Sequence, residues 1–440
     1  MTNLQFSIRR LQLATLLSIH LLPAAAAGAE APLAVPAAGQ PFHAELTGVD
    51  AHWQLTFGVG PKQLALPAAE LVAWGRCPEQ GRGGGLMLAD GSLLAAEVVA
   101  ADKERLTAQS EVLGKLTFPL ETLSGIVFHL PSLRPDRDKL LDRLAHAAGD
   151  ADRLLLDNGD ELSGLLAGIT GDVVKLATDV GPVEVKTDRA AALIFNPTLK
   201  RKAAAKGTQL RAWVGLSDGS RLLATQLLLD RQSLKITFLG QTFAAPPAAL
   251  VFLQPLGGRA VYLSDLQPAE YRQTPYLDLA WPFQTDRNVT AGLLRCGGQF
   301  YLKGLGVHSA ARLVYHLSPL PLGERQETKS SPLPLGKSQE SQSSPLPLGE
   351  GQGVRAASAA KRFEAEVGID DSTGGQGSVR FRVLVDGQEK YGSPIVRGGN
   401  PPVLVSVDIT GAKTIELVVD YADHADVLDH ADWLNARLIK

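Results

Sequence analysis

Short apolar runs that alternate with polar residues recur from Phe42 to about Pro255, and glycine-bearing turns separate them. That period of two predicts strands. Three stretches share one order of strands and turns. The first runs over 86–94 through Asp90 and Gly91 and closes at 118–120 and 125–128. The second opens at 154–162 through Asp157, Asn158 and Gly159 and closes at 192–197. The third opens at 214–222 through Asp218 and Gly219 and closes at 249–253. An imperfect earlier copy, between Phe42 and Trp74, lacks the Asp-Gly turn. Gly, and to a lesser extent Asn and Asp, accept the positive φ of a tight hairpin, so each unit reads as an antiparallel meander. One meander leaves an apolar face wet, so neighbours either close into small SH3-like barrels or pack as a sandwich. Between the first two copies, Leu140, Leu141 and Leu144 fall at helical spacing within 136–148, which predicts one connecting helix.

After Gly257 and Gly258 the strands lengthen. They are read at 260–263, 298–302, 312–317, 362–368, 378–385, 403–408, 414–420 and 431–438. The expected fold class is all-β, with tandem meanders over 42–256 followed by a β-sandwich over 257–440. The unit Ser-Pro-Leu-Pro-Leu-Gly, starting at Ser318, Ser331 and Ser344, interrupts the second region. Proline at alternate places can join neither ladder nor helix, so 318–360 reads as a disordered, partly polyproline loop.

Composition changes the picture at four points. Arg9 and Arg10, an apolar run over 11–22 and small residues through Ala29 predict a secretory signal peptide over 1–29, hence a secreted, periplasmic or envelope protein. The run is too short to span a bilayer. Residues 30–41, rich in Ala and Pro, read as a flexible leader. Lys plus Arg at 43 against Asp plus Glu at 46 give a net charge of -3, which supplies no field to attract nucleic acid. Cys77 and Cys296, the two cysteines, are too few for a disulfide framework.

The candidate chemistry lies in two phrases of the second region, the Gly-rich turn Gly304-Leu305-Gly306-Val307-His308 and Asp429-His430-Ala431-Asp432-Trp433, which are expected to meet as neighbours on an open rim. Sugars present hydroxyl edges and C–H faces, which carboxylates, imidazoles and aromatic planes match. His308, Asp429, His430, Asp432 and Trp433 are therefore the candidate carbohydrate-binding residues, with Trp281, Tyr276 and Tyr301 as further platforms. On one straight strand Asp429 and Trp433 point one way and His430 and Asp432 the other. The acidic run Asp420, Asp423, His424, Asp426 and Asp429 offers hard oxygen donors of the kind calcium takes, or else a solvated loop.

With their flanking phrases, Val261 to Leu266, Phe363 to Asp370, Gly377 to Phe381 and Val407 to Lys413, these motifs resemble the NPCBM family, a carbohydrate-binding module attached to glycoside hydrolases. The resemblance covers the last two-fifths of the chain. It implies a jelly-roll sandwich that binds sugars, galactoside-type glycans among them, often with a structural calcium. On that ground alone Asp265, Asp370 and Asp426 become candidate ligands; no cofactor is otherwise required. Ser309 stands where the family more often has Ala. The leading expectation is a secreted, non-catalytic carbohydrate-binding protein without nucleic-acid partner or membrane span. The alternatives are an envelope or extracellular interaction scaffold, and a glycosidase or its accessory.

Overall fold

The strand-rich pattern of the first half becomes four stretches with closely similar element orders in the computed structural model, which describes residues 30–79, 81, 83–201, 209–276, 279–317, 360–423 and 425–440. The expected signal peptide and nearly all of the Pro-rich insertion lie outside the described residues. In the second stretch the strands are Gly85–Leu88, Leu93–Ala95, Glu97–Ala101, Arg105–Ser110 and Gly114–Pro119, then a 3-10 turn, Leu120–Thr122, then Leu123–Val127. In each stretch the 3-10 turn delivers the last strand against the first. The pairs Ala34↔Trp74, Gly125↔Met87, Leu154↔Leu193 and Val214↔Leu253 are the result.

Pairing then continues between stretches. The first joins the fourth through Leu253↔Trp74 and Leu229↔Val49, and the second joins the third through Ile126↔Leu193 and Ile169↔Ala101. Second and fourth meet at Arg221↔Leu93, where two serines are exchanged. Ser92 Oγ accepts the Leu223 N–H and Ser220 Oγ accepts the Ala95 N–H, each at 2.9 Å. The sheets are thus shared, and a single core holding Phe57, Phe118, Phe238 and Leu253 runs through all four stretches.

Two expectations need correction here. The leader at 30–41 is not a free tail, because Leu33–Pro36 is a strand that pairs with Phe42–His43 and with Leu71–Gly75. Ala34 and Pro36 point inward, and Pro36 sits at a register shift, where its missing N–H interrupts no ladder. Four residues are too few for alternation to stand out. The helix is Arg134–Ala145, two residues earlier than read at its start and three at its end, because Pro135 occupies the first turn, where a missing N–H is harmless.

The C-terminal half is a sandwich of two antiparallel sheets. One has the order Gln284–Thr285, Gly304–His308, His430–Ile439, Arg362–Ile369 and Val403–Asp408. The other runs Glu270–Gln273, Ala311–His316, Thr414–Tyr421, Ser378–Val385 and Gln388–Gly392. The chain crosses between sheets at most steps, as in a jelly roll. Phe363, Phe381, Trp433 and Leu417 fill the space between them. Leu317 and Lys361, the described residues nearest the two ends of the insertion, lie close together. The Leu317 N–H donates to the Lys413 carbonyl and the Ile409 N–H to that of Lys361.

Both halves belong to one compact unit, Pro32–Lys440, and buried polar groups join them. Arg295 of the sandwich forks onto Asp138 of the helix at 2.6 and 2.9 Å and also contacts Glu79. Gln254 donates to Tyr262 and to Asn435. Asp138 is 5 % exposed and Arg295 9 %, so removing Asp138 leaves the Arg295 charge away from water with the partly exposed Glu79 to balance it. Asp138→Ala should therefore lower the stability of the full chain by about 3–5 kcal/mol in urea unfolding. A loss below about 1 kcal/mol would show that the joint is solvated.

Candidate functional site

The Gly304–His308 segment, read from sequence as a turn, is a fully buried strand. Its glycines answer to neighbouring backbone rather than to a ligand. A Cβ on Gly306 would come within 2.4 Å of the Arg287 carbonyl oxygen, and one on Gly304 within 2.8 Å of the Trp433 carbonyl oxygen. This strand pairs along its whole length with the closing strand His430–Ile439, with His308 opposite His430 and Gly306 opposite Asp432. Two phrases more than a hundred positions apart are thus adjacent strands.

Their side chains divide as the strand period demands. Trp433 turns into the sandwich at 0 % exposure, 5.1 Å from Phe381 and 6.2 Å from Phe363, and Ala431 beside it is equally enclosed. The platform role expected for Trp433 does not fit a ring held on all sides by core. Asp432 is also at 0 %, and neither oxygen has a hydrogen-bond partner among the described residues. Burial, followed by the nearby Asp370 carboxylate, holds it well above the usual carboxylate range, which favours the neutral acid. Asp429 precedes the strand and accepts the Ser378 N–H at 2.8 Å. Burial pushes it up to about 6, against that hydrogen bond.

His308 and His430, 6.0 Å apart between ring centroids, lie at 3 % and 8 % exposure. Trp281 covers them. Its ring stacks on His308 at 4.9 Å with 5° between planes and stands 5.9 Å from His430. Gln273 fixes this loop, since its Oε1 accepts the Trp281 N–H and its Nε2 donates to the Ser309 carbonyl. Burial lowers both imidazoles, His308 to about 4, with His430 the next cause. Near neutral pH each is therefore uncharged, with one nitrogen to donate and one to accept. The expected neighbours do meet, but as a buried layer and not as an open rim. The partly exposed group above them is Trp281.

Other candidates separate. Tyr301 is buried and donates to Glu366, so it is no platform. Tyr276 is 59 % exposed and meets Tyr421, at 49 %, edge to face. Tyr421 was missed in sequence because it ends a strand with no aromatic motif around it.

The acids expected to hold calcium do not gather at one point among the described residues. Among the described residues no group of three or more His, Cys, Asp or Glu side chains is placed to hold a metal ion. Lys303 engages Asp265 at 3.1 Å, and Asp370 accepts three N–H groups, from Asn288, Arg295 and Ser372. Asp426 lies in the turn before Asp429 instead of converging with them. His424 lies outside the described residues.

Residues 259–320 and 353–439 match the family model described as the NPCBM/NEW2 domain, and the gap falls within the Pro-rich insertion. A Renibacterium salmoninarum protein named as an endo-alpha-N-acetylgalactosaminidase is 32% identical over 146 residues, which are 33% of this chain and 7% of that protein. Alpha-1,3-galactosidase B of Akkermansia muciniphila is 26% identical over 152 residues, 34% of this chain and 14% of that one. The chain therefore aligns with only a small part of either relative. Among solved structures, the CBM51 of Clostridium perfringens GH95 in complex with methyl-galactose aligns at 23% identity with a TM-score of 0.29, over 41% of this chain and 99% of that one. Tandem CBM51 modules of a Streptococcus pneumoniae family 98 glycoside hydrolase align at 13% and 0.29, over 65% and 87%.

Two outcomes follow from the burial pattern. Trp433→Ala should cost about 3–5 kcal/mol, the penalty of an emptied core site, in urea unfolding; a cost below about 1 kcal/mol would mean that the ring is not core. The acids and imidazoles should tilt stability with pH in opposite senses. His308, at about 4 when folded against an ordinary 6.5, makes stability rise as pH climbs through that window. Asp429, at about 6 against 3.8, contributes stability below about 4 that is lost as pH rises through 6. His308→Asn should flatten the rise between pH 4 and 6.5, and Asp429→Asn should steepen it. Unchanged slopes in both variants would contradict the assignment.

Proposed function

We propose that the NPCBM/NEW2 domain carried by the C-terminal sandwich makes this a carbohydrate-binding protein, with the glycan received where Trp281 covers His308 and His430. The observation that carries the reading is the Trp281–His308 stack. A partly exposed indole fixed over a neutral, hydrogen-bonding layer offers a flat apolar plane for the C–H face of a sugar. His308, His430 and Asp429 would then hold that plane in place and not line the binding surface themselves.

Galacto-configured glycans are the class to examine first, because both relatives, each aligned over about a third of this chain, are named for enzymes acting on such sugars. The protein as a whole is proposed to be secreted and non-catalytic. A glycosidase needs two carboxylates flanking the bond to be cut. Asp429 and Asp432, the acids of the motif, are enclosed at 0 % exposure. The N-terminal sheets, docked through Arg295 and Asp138, would act as a rigid platform.

Calorimetric titration of the full chain with methyl galactoside, and with methyl glucoside for comparison, tests this. Saturable binding that weakens about tenfold or more in Trp281→Ala is expected, the loss of one well-stacked aromatic contact. Absence of saturable binding to either sugar would overturn the reading, and binding untouched by Trp281→Ala would move the site elsewhere.

A further inference from the structure

Tyr276 and Tyr421 come from segments far apart in sequence, yet their rings meet at 6.2 Å and 79° with about half of each side chain open to solvent. Single exposed aromatics are ordinary on a protein surface. A pair assembled edge to face at the end of the sandwich that also carries Trp281 is not, because open apolar planes gain nothing from water.

The backbone places this pair at the same end as Trp281. The Thr274 N–H donates to the Ala310 carbonyl, while Gln273, one residue earlier, binds both the Ser309 carbonyl and the Trp281 N–H. Thr274, two residues before Tyr276, and Trp281 are therefore both tied to the segment that follows His308. Tyr421 arrives on the other side. It pairs with Val379, the Ala422 N–H donates to the Ser378 carbonyl, and the Ser378 N–H donates to Asp429, the neighbour of His430. Two acids near Tyr421 are paired with arginines, Asp420 with Arg382 and Asp423 with Arg397. That leaves a surface suited to a neutral ligand.

We infer that Tyr276 and Tyr421 form a second sugar subsite, so that the ligand is a neutral glycan of at least two residues, one on Trp281 and the next against the tyrosine pair. Rings crossing at 79° make a corner that takes the C–H face of one sugar on one plane, while the phenol groups reach hydroxyls at its edge. The inference rests on the reading of Trp281 as the first subsite and adds a length requirement to it.

The test is calorimetry on the full chain with methyl galactoside and with α1,3-, α1,4- and β1,4-linked galactosyl disaccharides. At least one disaccharide should bind about tenfold tighter than methyl galactoside, the gain of a second aromatic contact. Tyr276→Ala and Tyr421→Ala should each remove most of that gain and leave methyl galactoside affinity unchanged. Tyr421→Phe, which keeps the plane, should retain most of it. Equal binding of mono- and disaccharides by the unaltered protein would overturn the inference and leave the Trp281 site standing. Loss of both affinities in the tyrosine variants would also overturn it. Binding of no sugar at all would remove the first subsite along with the second.

Discussion

The ladder between Gly304–His308 and His430–Ile439 is the constraint on which the rest depends. A shift of one residue in that register would turn His430 and Asp432 into the sandwich and Trp433 out of it. Steric fit fixes the register, since Gly304 and Gly306 let the strand lie against Trp433 and the Arg287–Asn288 backbone, where any Cβ would collide. The placement of His308 opposite His430, which sets the ring that Trp281 stacks on, follows from that fit.

The same ladder explains why the motif carries so many buried ionisable groups. An ionised carboxylate at 0 % exposure is costly, and the fold lowers that cost by protonation or by bonding. Asp432 is driven toward the neutral acid. Asp429 takes the Ser378 N–H, and Asp370 takes three N–H groups and caps the short 3-10 turn Asp371–Thr373. These groups fix the turn and strand that set the position of His430. The acids of the motif thus hold the strand and turn from beneath the surface.

Much of the fold was legible. Long runs such as 378–385 and 414–420 alternate cleanly and became strands with nearly the bounds read from sequence. Short strands were not legible, and Leu33–Pro36, Glu270–Gln273 and Gln284–Thr285 owe their pairing to partners remote in sequence. Adjacency of the two motifs was also readable, but their depth was not. A glycine-rich phrase ending in His looks like a surface turn until the Arg287–Asn288 backbone is seen pressing on Gly306. Trp281 and Tyr421 stand in unremarkable local sequence, and tertiary structure alone brings them to the same end.

That end competes with a concavity elsewhere on the sandwich. A groove of about 640 Å³ lined by Asp386, Lys390, Asp408 and the 409–412 turn lies at the far end of the Ser378–Val385 strand. Backbone and indole N–H shifts of the full chain, followed by NMR during addition of a galactosyl disaccharide, separate the two most directly. The account predicts shifts gathered at Trp281, Tyr276 and Tyr421, with the 409–412 turn unmoved. Shifts gathered at that turn, with the Trp281 indole unmoved, would contradict it.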